Sequence, residues 1–277
     1  LTLFGAWRLS RRVATALAFL LLLGTAGIAL SQLRAYTPPI TDAHGNALAG
    51  SIASMEQLRL GGVDQWVVIR GNNTANPVLL FLSGGPGGSE LAMVRHNLAP
   101  LESHFTIVVW EQRGAGKSYA AGLPENITAA QLESDAHELT LLLEQRFNQP
   151  KIYVLGSSWG TILGTRLVQK YPDLFYAYVG TGQMVNTTEN DIATYTWAIE
   201  QARLSGNASA EATITQYGPP PFDGPLAGLR YANYLEGGEF QFELRNAAST
   251  EYWANPFAAS EVGLLDDVHA LNGTLRG

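Results

Sequence analysis

The sequence predicts an α/β fold, a mostly parallel sheet with helices on both faces. Short, continuous apolar runs recur at VLLFL (78–82), FTIVVW (105–110), KIYVLG (151–156) and YAYVG (176–180). Segments of helical period lie between them, and glycine-rich turns directly follow the first three. A run that stays apolar at successive positions fits a strand buried on both faces, as parallel strands are when crossover helices cover their sheet. Such crossovers leave the functional loops at the strands' carboxyl ends.

Arg8, Arg11 and Arg12 precede the uncharged, mostly apolar run Val13 to Leu30. At roughly 18 residues, this run is about the shortest helix that crosses a bilayer, and its positive flank predicts a cytoplasmic amino terminus. The expected location is therefore single-pass in a membrane, with the catalytic domain on the extracytoplasmic side. Small residues such as Ala26, Ala29 and Ser31 also allow the alternative, a cleaved signal and a secreted protein. The polar stretch from Ser31 to Ala53, with Pro38 and Pro39, reads as a tether. MEQLRLGGVDQWVVIRG, from Met55, reads as a hairpin, its two strand-forming runs separated by Gly61, Gly62 and Asp64, and forms the first sheet edge. After the second buried strand, Thr128 and Gln131 open a helix with a capping box. Leu132, Ala136, Leu139, Leu143 and Phe147 form its apolar side, and Pro150 marks its end. Past Met184 the alternation stops. The resulting division is a stub and signal anchor at 1–33 (span about 13–30), a linker at 34–53, the first part of the core at 54–185, and a helical cap or lid at 186–277.

The balance of 17 basic against 24 acidic residues, a formal charge of −7, argues against a nucleic-acid footprint. With no cysteine, disulfides, metal thiolates and thiol nucleophiles are all excluded. No metal or cofactor is expected, and catalysis must use another nucleophile.

Gly156-Ser157-Ser158-Trp159-Gly160 lies between a strand and a helix, where a tight turn lifts Ser158 off the sheet as a candidate nucleophile. At the helix amino terminus the NH of Trp159 is the natural first donor to an oxyanion. Ser83-Gly84-Gly85-Pro86-Gly87-Gly88 can turn backbone NH groups towards Ser158. Gly85 is the expected second donor, with Gly84 close behind and able to contact substrate. Trp110 to Ser118 ends in GKS, but the glycine that a phosphate loop requires is replaced by Glu111, so Arg113 is expected to brace neighbouring loops instead.

SGGPGG, EQRGAGKS and GSSWG, in this order and on successive strands, resemble the proline iminopeptidase family of the α/β-hydrolase superfamily over roughly residues 55–185. The pattern of that family is HGGPG, DQRGxGxS and GGSWG. This chain departs from it at Ser83 for His, Glu111 for Asp and Ser157 for Gly. The resemblance implies an α/β-hydrolase fold with a helical cap inserted after the strand that follows the nucleophile helix. It also implies a serine aminopeptidase that acts through an acyl-enzyme on a small peptide or acyl substrate. In that family cap carboxylates bind the free α-amine of the substrate; Glu236 and Glu239 in YLEGGEF are either their counterparts or solvated loop charges.

Triads on this fold run Ser, then Asp or Glu, then His. His269 is the one histidine after Ser158, in a stretch that reads as a cap helix beside Asp266 and Asp267. The expectation is therefore a chain truncated at its carboxyl end, with the acid and base beyond residue 277 and this fragment inactive alone. An esterase or lipase on the same scaffold, and an inactive membrane-tethered binding protein, are the alternatives.

Overall fold

The computed structural model describes residues 3–122, 127–216, 218–221, 259–263, 265, 266 and 269. Helix α1 (Leu3–Arg34) leads into a hairpin of β1 (Ile52–Leu60) and β2 (Val63–Gly71). The alternating part follows: β3 (Val78–Leu82), α2 (Leu91–Asn97), β4 (Thr106–Trp110), α3 (Ala129–Phe147), β5 (Ile152–Ser157), α4 (Trp159–Lys170) and β6 (Phe175–Thr181). Helices α5 (Thr187–Leu204) and α6 (Ala208–Thr215) come next.

The strands form one sheet in the order β1-β2-β4-β3-β5-β6. The hairpin is antiparallel and supplies the sheet edge, β2 is antiparallel to β4, and β4, β3, β5 and β6 run parallel. In β3 and β4 every residue is buried, as their unbroken apolar runs require. Along α3, Leu132, Ala136, Leu139 and Leu143 are buried in the larger core cluster with Leu80, Val108 and Val154, and Phe147 packs beside them. The hydroxyl of Thr128 accepts from the NH of Gln131, which satisfies one orphan donor at the start of α3. The Gln131 side chain donates to Asp135 instead of reaching back to Thr128, so only half of the expected capping box forms. At the other end Asn148 takes the left-handed conformation, two residues before Pro150.

Strand β6 ends the sheet with Tyr176 and Val179 half exposed. On the far side of the domain, residues 36–50 are fastened at several points. Arg70 donates to Thr37 Oγ1 and to the carbonyl of Pro38, and the NH of Thr74 donates to the carbonyl of Gly50. Glu102 accepts from Arg70 at 3.0 Å, and Arg95 bridges Glu102 to Glu261. The stretch between α1 and the hairpin is thus held against the domain by a buried ion network. The apolar part of α1, Val13–Arg34, has a mean hydropathy of 2.3 and lies outside the core, long enough to cross a membrane.

Candidate active site

Ser158 occupies the turn between β5 and α4 with φ 50° and ψ −120°, a positive φ that non-glycine residues rarely adopt. Its neighbours make that turn sterically feasible. A side chain at Gly156 would lie 2.7 Å from the carbonyl of Gly160, and one at Gly160 would overlap the carbonyl of Leu82 on β3. The NH of Ser158 donates to the carbonyl of Thr181 at 2.9 Å, so the end of β6 pins the elbow. The carbonyl of Ser158 accepts from both the NH and the hydroxyl of Thr161. With its backbone fixed in this way, the side chain of Ser158 stays exposed. Among the described residues none hydrogen-bonds its Oγ.

The loop after β3 faces this elbow. A side chain at Gly84 would come within 3.1 Å of Ser158 Cβ, a tight contact that would require the elbow to give by a few tenths of an ångström. The NH of Gly84 donates to Glu90 Oε2 at 2.7 Å, and the hydroxyl of Ser157 donates to Glu90 Oε1 at 3.1 Å. Gly85 has φ 127°, and a side chain there would meet the NH of Gly88 at 2.6 Å. Among the described residues no acceptor is hydrogen-bonded to the NH of Gly85 or Trp159, whereas that of Gly84 is engaged. Ser158, Trp159 and the Gly84–Gly85 loop therefore meet at the carboxyl end of the sheet.

The loop after β4 supports the glycine loop from beneath. Glu111 is 1% exposed, and accepts from the hydroxyl of Ser89 at 2.7 Å and from the NH of Lys117 at 3.1 Å. Burial pushes its carboxyl above the usual range, against the lowering effect of those two bonds. Arg113 forms a fork on Asp135 at 2.6 and 2.8 Å and donates to the carbonyl of Gly61, tying α3 to the hairpin turn. Lys117 is paired with Asp266 at 2.7 Å, which commits the lysine of the GKS sequence to an ion pair.

His269 stacks on Tyr119 with ring centroids 4.3 Å apart, and Asp266 is taken by Lys117 and the NH of Gly263. Glu236 and Glu239 lie outside the described residues. Glu90 was missed in reading the sequence. A carboxylate just past a run of glycines carries no motif, and only its place between Gly84 and Ser157 reveals it.

A family described as "alpha/beta hydrolase fold" matches residues 77–261. The probable aminopeptidase YbaC of Bacillus subtilis is 35% identical over 225 residues, which cover 80% of this chain and 70% of that protein. A probable proline iminopeptidase of Leptolyngbya boryana is 39% identical over 37% of this chain, and the match spans only 30% of its own length. The solved proline iminopeptidase of Mycobacterium smegmatis superposes with a TM-score of 0.50 at 18% identity, over 80% of this chain and 69% of that one. For the structure of VinJ the values are 0.54 and 20%, over 78% and 69%.

Proposed function

The chain belongs to the α/β-hydrolase family and is proline iminopeptidase-like, and we propose that it is a serine aminopeptidase that releases an amino-terminal residue through an acyl-enzyme on Ser158. The observation that carries this reading is the strained, exposed Ser158 facing a glycine loop with backbone NH groups to offer. Ser158 Oγ attacks the first peptide carbonyl and loses its proton to a base. The resulting oxyanion is held by the NH groups of Gly85 and Trp159. The C–N bond then breaks, the amine leaves with a proton, and water hydrolyses the serine ester. The aminopeptidase name of the B. subtilis relative supports a peptide as substrate.

Two further parts of this reading are proposals of the same kind. The apolar α1 anchors the protein, with the hydrolase domain on the extracytoplasmic side. The region after residue 185 is the cap of this reading, and Glu236 and Glu239, which lie outside the described residues, are either the counterparts of the family's amine-binding cap carboxylates or solvated loop charges.

Amino-acyl anilides and short-chain esters, assayed in parallel with a fluorophosphonate probe, test the proposal. The expected result is anilide cleavage and a covalent adduct on Ser158, with Ser158→Ala lowering kcat on the order of 10⁴-fold or more. Hydrolysis of esters alone would replace the peptidase by an esterase. An unlabelled Ser158 would remove the serine mechanism altogether.

A further inference from the structure

We propose that Glu90 is a positioning residue that holds the oxyanion loop against the nucleophile elbow by binding one group from each. The proposal rests on the serine-hydrolase reading of Ser158. One carboxylate oxygen accepts from the NH of Gly84 and the other from the hydroxyl of Ser157, the residue immediately before Ser158. One partner stands in the loop after β3 and the other is the last residue of β5, and no local sequence rule fixes the gap between them. Glu90 spans that gap where Gly84 approaches Ser158 closely, a side chain at position 84 lying only 3.1 Å from Ser158 Cβ.

The bridge also decides which NH faces the reaction. By engaging the NH of Gly84, Glu90 leaves that of the next residue, Gly85, as the loop's donor for an oxyanion. Oxyanion stabilisation depends on donors already aimed before charge develops, since hydrogen bonds of about 2.7 to 3.1 Å leave little tolerance. Ser89 adds a second restraint from the adjacent position, through its bond to the buried Glu111. The carboxylate itself is not suited to stabilising the transition state, because a negative charge beside a developing oxyanion opposes it. Its contribution is the geometry of its two acceptor oxygens. An amide reproduces that geometry, since Gln Oε1 accepts from Gly84 while its NH₂ donates to the Ser157 hydroxyl.

The full chain labelled with a fluorophosphonate supplies the test, because Ser158 attack on phosphorus with loss of fluoride reports on nucleophile and oxyanion hole without a known substrate. Glu90→Ala is expected to slow labelling on the order of tenfold to a hundredfold, the size of effect caused by about 1 Å of misplacement. Ser157→Ala, which leaves the Gly84 bond intact, should cost less. Glu90→Gln should restore labelling to within about fivefold of the parent, since both bonds can re-form. On a cleaved anilide the loss in Glu90→Ala should fall on kcat, with KM little changed.

Labelling of Glu90→Ala at the parent rate would overturn the proposal. So would a Glu90→Gln variant as slow as Glu90→Ala, because charge rather than geometry would then matter. A KM effect confined to substrates with a free amine would likewise overturn it in favour of an ammonium-binding role. Should Glu90→Ala lose its melting transition, Ser157→Ala decides, and an unaltered rate there sinks the idea. A parent protein that never labels at Ser158 overturns the serine-hydrolase reading, and the proposal with it.

Discussion

Glu111 and Gly116 show how far a single position can depend on another a few residues away. The family pattern that this chain resembles has Asp where Glu111 stands, and the longer side chain must be accommodated in a fully buried site. Gly116, at φ 41°, provides the room, since a methyl group there would collide with the Glu111 carboxyl. Gly116→Ala should therefore lower stability by about 2 kcal/mol or more in chemical denaturation, from overpacking and backbone strain together. Glu111→Asp in the same background should recover part of that loss, a coupling that a double-mutant cycle reads directly. Additive effects of the two changes would show that the collision is relieved elsewhere. None of this was legible from EQRGAGKS alone, which reported an unusual residue and a flexible one without saying that they touch.

Helices α3 and α4 are joined by charge as well as by their apolar sides. Glu133 on α3 accepts from Arg166 at 2.9 Å and from Lys170 at 2.6 Å, both on α4. Hydrogen bonding from Lys170, followed by that from Arg166, holds the Glu133 carboxyl below its ordinary 4.5 despite the opposing effect of burial. A depressed carboxyl pKa stabilises the fold above the unfolded value and ceases to do so as pH falls through the folded value. Both basic partners are half exposed, so screening limits the effect to about 1 kcal/mol. Glu133→Gln should accordingly unfold more easily at neutral pH by about that amount, with the difference from the parent closing as acid protonates the Glu133 carboxyl below the ordinary carboxylate range. A difference that persists unchanged in acid would mean lost packing instead of lost charge. The helices themselves were readable from apolar period and the Thr128 cap, because those signals lie within one segment. Their ion pairs were not, because Glu133 and Arg166 meet only after a strand intervenes.

Across the whole molecule, the hydrolase domain is joined to an apolar helix by a segment that is fastened and not free. Arg70 clamps Thr37 and Pro38 beneath the Arg95–Glu102 pair, while Glu261 accepts from both Thr37 and Arg95. Burial alone would raise the Glu261 carboxyl, but the hydrogen bond and charge of Arg95, with help from Thr37, bring it below the ordinary value. If α1 is an anchor, these contacts hold the domain close to the membrane, where a flexible tether would let it roam. Expressed with its full amino terminus, the protein should resist carbonate extraction from membranes, and deletion of residues 1–35 should release it to the soluble fraction. A mature protein whose first residue lies just past Ala29 would instead identify the segment as a cleaved signal.

Local chemistry in the sequence by itself determined the strand runs, the α3 register, the hairpin edge and the motif carrying Ser158, because each is encoded by neighbours within a few residues. The tertiary structure decided which distant groups meet. It brought Glu90 between Gly84 and Ser157, Arg113 onto Asp135, and Lys117 onto Asp266. Side-chain pairing across strand-end loops depends on the spacing and twist of the sheet that carries them, and only the assembled sheet sets those distances.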